Sequence, residues 1–109
     1  MAADKYGVLG QASPAAAVLA DAYTVPAGRR AAIRVVVTSR GGPETFRVAV
    51  SPLGAAIANE HYIAYNFVLD ANDSLTSAPI EVGETDVVRV RSLNGNISFT
   101  VDGLEEDIS

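Results

Sequence analysis

The sequence predicts an all-β chain, an antiparallel β-sandwich of about eight strands, jelly-roll-like, in a single domain spanning 1–109. Three observations carry that expectation. Valine, isoleucine, threonine and aromatic residues alternate with polar ones along most of the chain, the period-two pattern of a half-buried strand. Gly, Pro, Asn and Asp interrupt the alternation at short intervals, each a place for the chain to turn. Helix signal is confined to "PAAAVLADA", Pro14 to Ala22, which is too short for more than a turn or two.

The first strand is expected around Tyr6 to Leu9, and a short second one from Ala22 to Val25, closed by "PAG". The third, "RRAAIRVVVTSR" from Arg29 to Arg40, sets Ala31, Ile33, Val35 and Val37 on one face and Arg34, Val36 and Thr38 on the other. "GGP" ends it. The fourth, "ETFRVAVS", points Phe46, Val48 and Val50 inward and Thr45, Arg47 and Ala49 outward. After the connection "PLGAAIAN", the fifth runs from Glu60 to Leu69. Alternation there puts Ile63, Tyr65 and Phe67 inward and Tyr62, Ala64 and Asn66 outward. "DANDS" is a turn. Pro79 makes the sixth, "LTSAPIEV", an edge strand or a bulged one.

The last two strands lie in "DVVRVRSLNGNISFTVDG", Asp86 to Gly103. Asn94-Gly95 is the preferred pair for a two-residue type I′ hairpin turn. That turn sets Val90 opposite Phe99 and Val88 opposite Val101 on one face. Arg91 then meets Ser98 and Arg89 meets Thr100 on the other, and a slip of one residue destroys the match. Residues 1–4 and the acidic tail "LEEDIS", 104–109, are expected to be flexible, the tail fraying or reaching outward.

The net charge of −5 argues against a nucleic-acid partner, which calls for a basic surface. Tyr23 and Tyr62 are the exposed aromatics that single-strand stacking would need, too few for such a role. No apolar run reaches the length of a membrane span, so no membrane partner is expected. The N-terminal apolar stretch is interrupted by Gly10, Gln11, Ser13 and Pro14 and is not read as an export signal. Without cysteine there is no disulfide and no thiolate metal site.

Nothing in the sequence marks a catalytic, cofactor-binding or metal-binding residue, and the chain is not expected to be an enzyme. His61 is the only histidine, at a strand start. "DAND", Asp70 to Asp73, lacks the glycine and distal glutamate of a calcium loop and reads as a turn. There is no G-x-S-x-G elbow and no glycine-rich phosphate cradle. The charges are instead uneven in kind: seven of the eight cations are arginine. Arg34, Arg47, Arg89 and Arg91 lie inside apolar strand-like runs. Arginine's rigid fork suits interfaces, so these four are the candidate protein-interface residues. A solvated outer face is the equal alternative.

The order of features "LGQ", "YTVPAG", a long valine-rich strand, "FRVAVSPLGA" and "HYIAYN" followed by "AND" resembles small virion structural proteins of tailed bacteriophages. The resemblance covers roughly residues 6 to 103. It implies a β-sandwich part of the virion, assembled in the host cytoplasm, that decorates or cements the outside of the capsid. Tail, collar or fibre-base accessory proteins are the alternative within that class, and a carbohydrate-binding adhesion module is the alternative outside it. The implied partners are further copies of the chain, with homo-oligomers such as trimers expected, and the major capsid protein or other virion proteins.

Overall fold

The structure is a computed structural model that describes residues 4–108. Residues 1–3, part of the stretch expected to be flexible, and Ser109 lie outside the described residues. Nine strands follow in order: β1 Lys5–Ala12, β2 Ala20–Thr24, β3 Arg29–Ser39, β4 Glu44–Ser51, β5 Tyr62–Leu69, β6 Ser74–Thr76, β7 Ile80–Val82, β8 Val87–Ser92 and β9 Ile97–Asp107. Single 3₁₀ turns at Pro52–Gly54 and Asn59–His61 interrupt the connection between β4 and β5. Among the described residues no helix is long and apolar enough to cross a membrane.

The strands form two antiparallel sheets. Sheet I runs β1-β9-β3, with β6 and β7 side by side on the far edge of β3, and sheet II runs β2-β8-β4-β5. The chain changes sheet at every connection except β4 to β5 and β6 to β7. Counting β6 and β7 as one broken strand, this is the eight-stranded double Greek key of a jelly roll. The break falls where Pro79 was expected to disturb an edge. The gap is bridged by Ser77, whose backbone N–H donates to the Val35 carbonyl and whose Oγ accepts the Val35 N–H, both at 2.9 Å.

Alternation fills the space between the sheets. Ile33, Val35 and Val37 of β3 and Ile97, Phe99 and Val101 of β9 face Phe46 and Val48 of β4 and Val88 and Val90 of β8. Phe46 meets Phe99 edge-on across the layers, with centroids 6.2 Å apart. Along one side of the sandwich β1 closes directly onto β2. A Cβ on Gly10 would overlap the Ala22 carbonyl oxygen, so only glycine lets the two strands meet. Pro14 to Ala22 makes a single turn, with Val18 N–H on the Ala15 carbonyl at 3.1 Å, before β2 begins at Ala20.

Two expectations are corrected. Asp86 to Gly103 is not a hairpin. β8 pairs with β2 and β4, β9 pairs with β1 and β3, and Val90 and Phe99 face each other across the core rather than along a ladder. The Asn94-Gly95 turn spans the sandwich because buried Glu44 takes the Asn94 and Asn96 N–H groups on its carboxylate. Arg40 donates to the Gly95 carbonyl at 3.0 Å, and Ser92 Oγ accepts the Gly95 N–H at 3.1 Å. The second correction is the tail. Residues 104–107 do not fray but extend β9 between β1 and β3. Glu105 is 2% exposed; its Oε1 accepts the Tyr23 hydroxyl at 2.5 Å, and its Oε2 lies 3.2 Å from Arg29 Nη1. Arg30 pairs with Glu106 at 3.2 Å. The partners that anchor this acidic segment lie far away in sequence, where composition gives no hint of them.

Two outcomes follow from these buried carboxylates. Glu44→Ala removes the acceptor for two turn amides and should cost roughly 2 kcal/mol in urea denaturation, while Asp70→Ala in the exposed turn changes little. Burial first, and then the Glu105 hydrogen bond and charge, push the Tyr23 phenol well above the ordinary tyrosine range, with Arg29 opposing. The folded state therefore keeps a proton that the unfolded chain gives up near pH 10. The Tyr23 contribution to stability should be level below about pH 10 and fall above it. Tyr23→Phe should flatten that fall in pH-dependent denaturation while costing about 1–3 kcal/mol at neutral pH; an equal alkaline slope in both proteins would refute the assignment.

Candidate functional site

The site grows from an irregularity in β5, the open edge of sheet II. The β4–β5 register slips between Phe46 and Val48 and again between Val48 and Ala49, and Asn66 has φ 52°. Extra residues in the edge strand replace the period of two. Ala64 and Phe67, three apart, stand opposite Val48 and Phe46 on the core side. Tyr62 and Tyr65, also three apart, share the outer side, their rings edge-on with centroids 4.9 Å apart.

This overturns the inward placement of Tyr65, while Ile63 and Phe67 stay on the core side without being buried. Ile63, Tyr65 and Phe67 are 51%, 56% and 50% exposed, and Val68 is 62% exposed. Tyr23, expected to be exposed, is in the core. The sequence signal for the bulge is Asn66, a residue that tolerates positive φ, standing inside an otherwise apolar run.

Two surfaces meet along β5. Toward the core, β5 stands apart from β6 and leaves a groove of about 210 Å³. Ile63, Phe67 and Leu75 rim it, and Val35, Val37 and Phe46 form its floor. Phe67 keeps ring contact with Phe46, centroids 5.5 Å apart. On the outer face, Arg47 lies over the Tyr65 ring, Cζ 4.1 Å from the centroid, and 5.9 Å from that of Tyr62. Arg47 Nε donates to Asn66 Oδ1 at 2.8 Å. Arg91 of β8 is directly opposite Arg47. A shallow hollow of about 420 Å³ beside them is lined by Asn59, Tyr62 and Tyr65.

The four arginines singled out from sequence do not form one patch. Arg34 is on sheet I, where its Nε and Nη2 donate to the two carboxylate oxygens of Asp102, both at 3.3 Å. Arg89 serves its own chain. It pairs with Asp21 at 3.2 Å and donates through Nη1 to Ser51 Oγ at 3.2 Å and the Ala55 carbonyl at 2.8 Å. With Leu53 N–H on Asp86 Oδ1 at 2.9 Å, this straps the connection after β4 over the outer face, where Ala49, Ser51 and Val87 are buried. Arg47, next to the tyrosines, and Arg91, opposite it on β8, remain.

His61 closes the same strap. Its Nδ1 accepts the Ala58 N–H at 3.1 Å and lies 3.4 Å from Ser51 Oγ. Serine and histidine are the residue types of a nucleophile and its base, but Ser51 is 0% exposed and the ring nitrogen facing it already accepts a backbone hydrogen bond. The pair is a structural clasp. Asp73 N–H donates to the Asp70 carbonyl at 3.2 Å and Asp73 Oδ1 accepts the Ser74 N–H at 2.8 Å, which makes "DAND" a turn. Among the described residues no three His, Cys, Asp or Glu side chains gather where they could hold a metal ion.

Arg89→Ala should release the strap. Hydrogen exchange in the 52–61 segment is expected to rise, with a stability loss of about 1–3 kcal/mol, and Arg89→Lys should restore it only in part because one ammonium cannot span three acceptors. Unchanged exchange in that segment would rule the strap out.

No protein-family model, curated protein or solved structure matches this chain.

Proposed function

We propose that this protein is a structural part of a phage particle, decorating or cementing the outside of the capsid through the β5 edge. The single observation that carries the assembly part of this reading is the exposure of Ile63, Tyr65, Phe67 and Val68 on an edge strand with no charged residue from Tyr62 to Leu69. Edge strands carry unpaired backbone groups, and proteins that stay apart blunt them with charge, proline or cover. An uncharged, half-exposed edge beside an apolar groove is the surface of a chain that is covered in use. The sequence resemblance supplies the particle. Small arrayed parts meet copies of themselves, so a homo-oligomer belongs to the same proposal.

A tail, collar or fibre-base position would use the same edge and differs in copy number. A sugar-binding role has one observation in its favour, the outward pair Tyr62 and Tyr65. Against it, the Arg47 guanidinium covers the Tyr65 face on which a sugar ring would stack.

The test is quantification of the protein against the major shell protein in purified particles. Hundreds of copies support decoration, a few to a few dozen support the tail or collar, and absence overturns both. In the same particles Phe67→Asp and Ile63→Asp, at half-exposed positions, should leave the domain folded and weaken incorporation by about 2 kcal/mol or more, the scale of an interface hot spot. Full incorporation of both variants would remove β5 from the interface.

A further inference from the structure

Six of the seven arginines make an ion pair or hydrogen bond within the chain. Arg29, Arg30, Arg34 and Arg89 pair with Glu105, Glu106, Asp102 and Asp21 at 3.2–3.3 Å. Arg40 donates to Ser13 Oγ at 2.9 Å and to the Gly95 carbonyl. Three arginines have no carboxylate partner among the described residues, although the chain carries a net charge of −5: Arg40, held by those two oxygens, and the pair Arg47 and Arg91. These two are directly opposite on adjacent strands. Like charges so placed are destabilising, and a carboxylate between them would reverse the sign of that interaction. Arg47 is already oriented by Asn66 and the Tyr65 ring, which leaves both of its Nη groups without a hydrogen bond among the described residues. Arg91 has no hydrogen bond or ion pair among them.

We propose that Arg47, flanked by Tyr62 and Tyr65, and Arg91 opposite it on β8 are the docking site for an acidic segment of a partner protein whose carboxylate bridges the two guanidinium groups. Arginine forks match carboxylates in bidentate geometry. The site continues into the exposed apolar surface of Tyr65 and Val68. Its complement is therefore an extended chain with apolar side chains next to the acid, which a free inorganic anion lacks. The inference rests on the assembly reading only in taking the partner to be protein.

The test uses the whole protein and follows the arginine Nε–H and tyrosine ring NMR signals during titration with a peptide of alternating glutamate and leucine. The controls are the same peptide with glutamine for glutamate, and inorganic phosphate. Shifts confined to Arg47, Arg91, Tyr62 and Tyr65 are expected, with affinity that falls as salt rises. Arg91→Ser should weaken binding about tenfold or more, Arg91→Lys should restore part of it, and Arg30→Ser on the other sheet should leave it unchanged. Arg91→Ser should also leave Tm unchanged or raised, because it removes a like-charge contact; this separates lost binding from lost folding. No shift, equal binding of the glutamine peptide, or equal affinity for phosphate would overturn the proposal. Loss of peptide binding with particle incorporation intact removes this inference alone. Peptide binding by a protein missing from particles removes the capsid reading alone.

Discussion

Glu44 holds the backbone N–H groups of Asn94 and Asn96, and so sets where the chain leaves one sheet for the other. Turn chemistry alone favours a hairpin there. Carrying β9 across the sandwich instead leaves β8 free to lie between β2 and β4, and β9 between β1 and β3. Every outer-face neighbour then changes. In a hairpin Arg91 would stand beside Ser98 and Arg89 beside Thr100. In the jelly roll Arg91 stands beside Arg47, and Arg89 beside Ala49 and Asp21. The sandwich-spanning turn that Glu44, Arg40 and Ser92 hold thus separates a harmless polar face from a pair of opposed cations.

The sandwich is unequal at its two sides. β1 and β2 meet closely because Gly10 has no Cβ to collide with Ala22. β5 and β6 stand apart, and the floor of the gap between them is the core itself, reached at Val35, Val37 and Phe46. The bulged β5 places apolar side chains on both sides of the open edge. Apolar area that a monomer of this size would be expected to hide is left accessible, and the proposed association rests on it.

Charge is divided by the same logic. Carboxylates of β9 and β2 neutralise the arginines that face them, and Glu105 is drawn into the core by Tyr23 and Arg29. Breaking such a buried set leaves an uncompensated charge, whereas exposed pairs such as Arg30–Glu106 contribute little. Arg47 and Arg91 stand outside this internal neutralisation, next to the same edge that exposes its apolar residues.

Most of the strands are legible in the linear sequence. β4 runs from Glu44 to Ser51 as its alternation requires, β3 stops one residue short of the expected end, and Pro79 breaks the edge it was expected to break. Period and turn residues act over a few neighbours, so they are visible in a linear string. Tertiary structure decided which sheet β8 and β9 join, that residues 104–107 are strand, which way Tyr65 faces, and that Ile63 and Phe67 stay half exposed. Each depends on a group remote in sequence: Glu44 for the turn, Tyr23 and Arg29 for Glu105, the slipped register against β4 for β5. The candidate arginines were legible as residue types in strand runs. Whether each meets a carboxylate, a strap or another arginine is set by strand order, and strand order is fixed by long-range contacts that a local pattern does not contain.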